Sequence, residues 1–506
     1  MNASLPERRG LTALAIIAAL MTLLMLASSP QPAWAGGDAS LVIGVGRDFL
    51  DGPDSRAFVH GSTNAWEALT YLGPDMRPLP WLASSWRVED GGRRWRFKLR
   101  PGVKFHDGTD LTAAEAAQAL RRIMNHPRYD AGGAYREVAK LEAVGDEVVF
   151  SLKRPSPNLA SLVAYYGGPI LKPSGFDQAG RIQKFIATGP YRLELARPNQ
   201  SVELTAFGDY WGPKPRYRRV EFRHIPDAHT RVMALLAGAI DAVADVGAIL
   251  PEQAAELADD PRVELKRREV ATTHYLLFNC RRPPFADVRA RRWLAELVDR
   301  RALVAALAGD SGEPASAPYT NLAVDWAFGL AAPPAAEQPA APNRPLLILL
   351  HAGTTERWPY LDMAQIIQDR LRQAGWPAEI VVSEAGGYYE ALRKSQFDLS
   401  LQPNTLMTGD PDFFYSYYLD QHGAANQGWR NQRAQKLIEA GRHEMDPRAR
   451  REIYRQLAQI FGAELPLLAL YHEHSIHAQR RGLAPALELD QNFRPLLTER
   501  GPWEAQ

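Results

Sequence analysis

The chain has 506 residues, of which 46% are apolar and 23% charged, with 59 Lys and Arg against 58 Asp and Glu. This globular balance excludes a disordered or collagen-like chain, and the length prior suggests about three domains or lobes. A net charge of +1 gives no global argument for nucleic-acid binding, and the single cysteine, Cys280, excludes an intramolecular disulfide and a multi-cysteine zinc site.

In chain order, residues 1–35 read as an export signal. Arg8 and Arg9 precede an uncharged run from Leu11 to Ala27, Pro30 and Pro32 interrupt it, and Ala33-Trp34-Ala35 places small residues at the two cleavage-determining positions. The alternative is an uncleaved anchor. No later stretch is apolar enough to span a bilayer, and Cys280 lies far from the cleavage site, so the mature chain is expected to diffuse freely in the periplasm.

Leu41–Val45 is an apolar run suited to a buried strand. Trp95, Phe97 and Leu99 alternate with Arg96, Lys98 and Arg100, the period of a half-exposed strand. Thr112 with Glu115 forms a capping box ahead of a helix that Pro127 ends. Val220–Ile225 reads as a strand, a helix follows from Asp227, and His274–Phe278 is strand-like. Asp287 to Ala308 reads as one long helix closed by Gly309. Residues 331–345 are a Pro/Ala-rich connector. Leu346–Leu350, Leu361–Ala374 and Ile380–Val382 then read as strand, helix and strand, which implies parallel pairing. The last clear helix starts with Asp446 and Pro447 and is closed by Gly462. The fold class is α/β with at least two lobes.

Catalytic patterns are absent. Gly44-Val45-Gly46 fails as a dinucleotide loop because Phe49 replaces the third glycine, and His472-Glu473 fails as a zinc-protease helix because Ile476 replaces the second histidine. On a strand, His472 and His474 share a face while Glu473 points away, so the pair is a candidate metal chelate with His422 or His351 as distant partners; the alternative is a strand end whose imidazoles satisfy local hydrogen bonds. Dense aromatics, Tyr388-Tyr389 and Trp429 among them, suit either a core or the walls of a ligand cleft.

Several segments together carry a resemblance. Pro80 to Trp86, Trp95 to Gly108, Leu111 to Glu115, Thr188-Gly189-Pro190-Tyr191, Asp209 to Gly212, Ile225 to Arg231 and Ala237 to Asp241 occur in this order. Phe278-Asn279, Pro284 to Arg289, Val298 to Arg300, Gly409 to Phe413 and Leu465 to Leu467 follow. The chain resembles the family 5 extracellular solute-binding proteins, the peptide/nickel receptors of ABC importers. The resemblance implies a two-lobed type II periplasmic binding protein with an extra subdomain in its first lobe. It assigns 36–60, 185–275 and 475–506 to the first lobe, 61–184 to the subdomain and 276–474 to the second lobe. It implies a monomer that captures a small solute, a short peptide or a metal chelate. An inner-membrane permease and its ATPase subunits would be the partners, with no cofactor, nucleic acid or catalysis.

In peptide-binding members an acidic residue in the motif matched here by Gly409 to Asp412 holds the α-amino group, which makes Asp410 the candidate anchor; starting a turn or helix is its alternative role. Nickel-binding members add a histidine near the position of His422, and Arg128 is the candidate for neutralising the chelator's carboxylates. The rival from another class is an exported metal-dependent hydrolase built on His472, His474 and His422.

Overall fold

The computed structural model describes residues 39–47, 63–124, 135–164, 168–178, 182–330 and 336–501. The export signal, Pro127, Arg128 and the start of the Pro/Ala connector lie outside the described residues. Seventeen strands occur among the described residues. They are β1 (Ser40–Val45), β2 (Thr70–Leu72), β3 (Pro78–Pro80), β4 (Ala83–Glu89), β5 (Arg94–Leu99), β6 (Val138–Val144), β7 (Glu147–Leu152), β8 (Tyr191–Arg197) and β9 (Ser201–Ala206). After these come β10 (Arg219–His224), β11 (Ala242–Val243), β12 (Val263–Phe278), β13 (Gly312–Pro314), β14 (Leu346–His351), β15 (Ala378–Ser383), β16 (Leu399–Thr405) and β17 (Leu467–Arg480).

One eleven-stranded sheet runs β15-β14-β16-β12-β17-β11-β1-β10-β9-β8, with β13 also on β17. Its two ends are the two lobes. In one lobe β1 pairs in parallel with β10 and β11; in the other β14 pairs in parallel with β15 and β16. The long antiparallel pair β12–β17 belongs to both. A separate four-stranded sheet, β4-β5-β7-β6, packs on helix Ala113–Met124. Each layer has its own apolar core. Leu41, Tyr191, Phe222 and Leu497 pack together at one end of the large sheet. Leu276, Leu346, Ile348, Leu350 and Trp376 line one face of the other end, with Tyr275, Phe414 and Phe461 on the opposite face.

Local expectations hold where a short-range rule decides. Trp95, Phe97 and Leu99 are buried on β5 while their neighbours face outward. Thr112 Oγ1 accepts from the Glu115 amide (3.2 Å) and Glu115 Oε2 from the Thr112 amide (3.3 Å). Three expectations change. The 287–308 helix is two, Val288–Val298 and Arg300–Leu307, broken at Asp299, whose φ of 39° is left-handed and whose carboxylate accepts from the Ala302 amide. A short polar side chain that caps its own backbone makes that break tolerable. His274–Phe278 is the end of a sixteen-residue strand, β12. Helix Pro447–Glu464 runs past Gly462, because Arg291 donates to the carbonyls of Glu464 (3.0 and 2.7 Å) and Leu465 (2.9 Å) and supplies the C-terminal donors.

Glu67 is fully buried, accepting from Tyr210 Oη (2.8 Å) and Trp211 Nε1 (3.0 Å), and burial pushes its pKa up to about 7. A carboxyl whose folded pKa is raised contributes stability that is full below the unfolded value of 4.5 and lost as pH rises through about 7. Glu67→Gln is therefore expected to melt a few degrees above the wild type at pH 8, the gap closing by pH 4.5. Parallel melting curves across that range would refute the assignment.

Candidate functional site

Open α/β sheets bind ligands beyond the carboxyl ends of their parallel strands, and here two such sets of ends are joined by the crossing pair. One set is the end of β1 at Gly46 and Arg47, of β10 at His224 and of β11 at Ala244 and Asp245; the other is His351, Ser383 and Gln402–Thr405. On β12, the pairing with β17 slips between Glu269 and Thr273, so Val270, Ala271 and Thr272 stand outside the ladder. Their backbone turns elsewhere: the Ala271 amide donates to Gln491 O (3.0 Å), and the Leu406 amide donates to Ala271 O (2.8 Å). Such a bulge bends a strand where the two lobes join.

The first wall is cationic. Arg47 grips Asp245 through Nε (2.9 Å to both oxygens) and Nη2 (2.7 Å). Arg231, buried, donates to the carbonyls of Ile225, Pro226 and Ala248. A Cβ on Gly46 would stand 2.8 Å from Arg231 Nη1, so this strand end admits only glycine without moving the guanidinium.

The loop after β14 forms the opposing wall. Arg357 packs against Gly247, whose φ is +58° and whose Cβ, if present, would lie 2.7 Å from the arginine Cβ. This is a contact between the two sets of strand ends. Arg357 makes no side-chain hydrogen bond to another described residue, yet it is half-buried. Burial first, and Arg47 second, hold its pKa below the usual arginine value, with Asp245 pulling the other way. Beside it, the His351 ring meets Tyr388 (centroids 5.1 Å) and Tyr389 (5.9 Å) edge to face. Trp358 donates to Glu473 Oε1 (3.2 Å), whose other oxygen lies 3.1 Å from His274 Nε2.

Among the described aromatics singled out in the sequence, Tyr389 is largely exposed, at 55%. Tyr388 is buried, its hydroxyl held by Ser400 Oγ (2.9 Å) and Gln402 Nε2, so it braces the wall from behind. Trp429 belongs to the core around Phe414 and Phe461 and donates to Glu464 Oε2 (2.8 Å), which corrects its placement on a cleft wall. Asp410 takes its alternative role. It caps helix Pro411–Tyr418 by accepting from the Asp412 amide (3.0 Å), and both its oxygens are 2.7 Å from Arg450. Its charge is already matched, so it is corrected as an ammonium anchor.

His472 and His474 do share one face of β17, in register with Thr273 and Glu269. His472 Nε2 accepts from the Ser316 amide (3.3 Å), which leaves the proton on Nδ1 to donate to Thr273 Oγ1 (2.8 Å). Neither nitrogen keeps a lone pair for a metal, and burial lowers its pKa to about 4. His422 lies exposed in the loop after helix Pro411–Tyr418. Among the described residues no group of three or more His, Cys, Asp or Glu side chains is placed to hold a metal. Sequence reasoning missed Arg47, Asp245 and Arg357. For Arg47 and Asp245 the signal was available, because each stands two residues beyond the carboxyl end of an apolar strand; Arg357 lies past the short helix Ala352–Thr355 and carries no such signal.

Comparison with known proteins accords with this architecture. Residues 77–426 match the profile of the bacterial extracellular solute-binding proteins, family 5 Middle. Di/tripeptide-binding protein 2 of Pseudomonas aeruginosa (strain UCBPP-PA14) is 26% identical over 447 residues, covering 80% of this chain and 83% of that protein. The glutathione-binding protein GsiB of Shigella dysenteriae serotype 1 is 26% identical over 512 residues, covering 94% and 95%. Among solved structures, NikA from Brucella suis in complex with Fe(III)-EDTA superposes with a TM-score of 0.77 at 23% identity, covering 90% of this chain and 97% of that one. The dipeptide-binding protein from Pseudoalteromonas sp. SM9913 in complex with Met-Leu gives 0.76 at 20%, covering 90% and 98%. The relatives bind solutes and are not enzymes, and the chain belongs to the family 5 bacterial extracellular solute-binding proteins.

Proposed function

We propose that this receptor captures a short peptide, or a peptide-like acid, between its lobes in the periplasm and presents it as a monomer to an inner-membrane ABC importer. The observation that carries the reading is Arg357: a half-buried guanidinium at the strand ends, with no hydrogen bond to another described residue, facing the Arg47–Asp245 pair. A partly desolvated cation with no hydrogen-bond acceptor among the described residues is costly, and a ligand carboxylate in bidentate geometry removes that cost. Closure then follows by mass action, since ligand contacts made from both walls exist only when the lobes meet. Arg77 and Asp325, 2.9 Å apart at two atom pairs, and the approach of Gly409 to Met76 are further contacts that closure makes and opening breaks, with lobes divided at about residues 275 and 475. Relatives named for di- and tripeptides and for glutathione support the peptide class.

Native mass spectrometry of the mature protein, purified gently from periplasm and then denatured to release its cargo, tests this. Di- to pentapeptides or a related carboxylic acid are the expected cargo. Nickel with a small chelator would overturn the peptide reading and move attention to His422 and Arg128.

A further inference from the structure

We propose that the small four-stranded sheet and the β2–β3 turn act as a latch: the contacts they make with the second lobe, away from the strand ends, hold the lobes shut and set how long a captured solute stays. This deepens the reading of a receptor that closes on its solute and rests on it. The first seam is built around Arg154, which with Pro155 follows β7. Glu137, just before β6, fixes the guanidinium from its own side through Nε (3.1 Å) and Nη2 (2.6 Å). That leaves Nη1, which reaches across to Glu439 on helix Gln432–His443. A planar fork already held at one edge loses little freedom when its other edge finds a second carboxylate. His443, the last residue of the same helix, donates from Nδ1 to the Pro155 carbonyl (2.8 Å). Two residues on, Met445 lays its thioether against Gly92 in the β4–β5 turn, whose φ of +92° and close sulfur leave no room for a side chain.

The β2–β3 turn makes the second seam. Arg77 holds both oxygens of Asp325 at 2.9 Å, the Asp325 carbonyl accepts from Arg451, and the Met76 carbonyl stands against Gly409. Behind the two seams the second lobe is braced as one piece. Arg442 donates to Glu439 (2.9 Å), Ser416 Oγ (2.7 Å) and Asp420 (2.9 Å), which joins helix Gln432–His443 to helix Pro411–Tyr418. The Asp410–Arg450 pair joins the start of that helix to helix Pro447–Glu464. The seams therefore make and break together. Singly each contact is weak, because Arg154, Glu439 and Arg77 are about half exposed. Formed in the same step that encloses the solute, they add to the closing equilibrium without touching the solute. Encounter takes place with the lobes apart, so capture does not sense the seams; release must wait for them to part.

Stopped-flow binding of trialanine to the mature protein, followed by displacement, tests the latch. The triple variant Glu439→Gln, His443→Ala and Met445→Ala is expected to release trialanine about five- to twentyfold faster than wild type, with association within about twofold. Arg77→Gln, a single exposed change on the other seam, is expected to speed release by about two- to fivefold, and it guards against a folding defect in the triple variant. Unchanged release from both variants overturns the proposal, as does a loss of affinity carried by slower association. If trialanine does not bind the wild type, the peptide reading fails instead, and small-angle scattering of the ligand-free proteins decides the latch. Both variants are then expected to be less compact than wild type, and equal radii of gyration overturn it.

Discussion

Arg357→Gln is expected to weaken solute binding by about 30- to 150-fold, the worth of one charge-assisted contact of ~2–3 kcal/mol enclosed by the closed lobes. The unliganded protein should lose no stability, because the guanidinium makes no side-chain hydrogen bond to another described residue and burial already opposes its charge. That asymmetry separates an anchor from a structural arginine. Arg357→Lys should recover only part of the affinity, since an ammonium keeps the charge and loses the fork. Calorimetry on the three proteins, with melting curves recorded without ligand, checks both halves. An unchanged affinity in Arg357→Gln would remove Arg357 from the site.

The second large effect falls on stability. Arg450→Met leaves Asp410 buried at 5% exposure with no counter-charge, and breaking such a pair from one side costs about 3–5 kcal/mol. The double variant Asp410→Asn with Arg450→Met is expected to recover most of that loss, because it removes the stranded charge while asparagine still caps the helix. Urea unfolding of the single and double variants measures the coupling. Equal losses in both would mean that Arg450 acts through its packing on Trp326 and Tyr454 and not through the pair.

Much of the fold was legible because it rests on short-range rules. The capping box at Thr112, the alternation on β5 and the strand, helix and strand from Leu346 each follow from residues within one turn or one pleat of each other. The misreadings share a different cause. Gly462 and Asp299 depend on what packs beside them, Arg291 in one case and a side-chain cap in the other. The site was less legible for the same reason. Asp410 carries the right motif, but its role is decided by an arginine forty residues further on, and Trp429 by a glutamate thirty-five residues further on. Arg357 sits in no motif at all; only the convergence of two distant sets of strand ends gives it meaning.

The first strands of the chain are completed by its last residues. Leu41 and Ile43 share a core with Leu483, Leu487, Leu489 and Leu497, and Asn64 Nδ2 donates to the carbonyl of Pro495, 431 positions away. Tyr71 reaches Asp490, and Tyr191 reaches Leu497. An N-to-C emerging polypeptide therefore cannot seal that lobe until nearly all of it has been delivered. Loops this long make folding slow. In the periplasmic receptor proposed above, delay is an advantage: a chain whose opening strands must wait for a segment 431 positions later stays threadable through a narrow pore for as long as it is being moved.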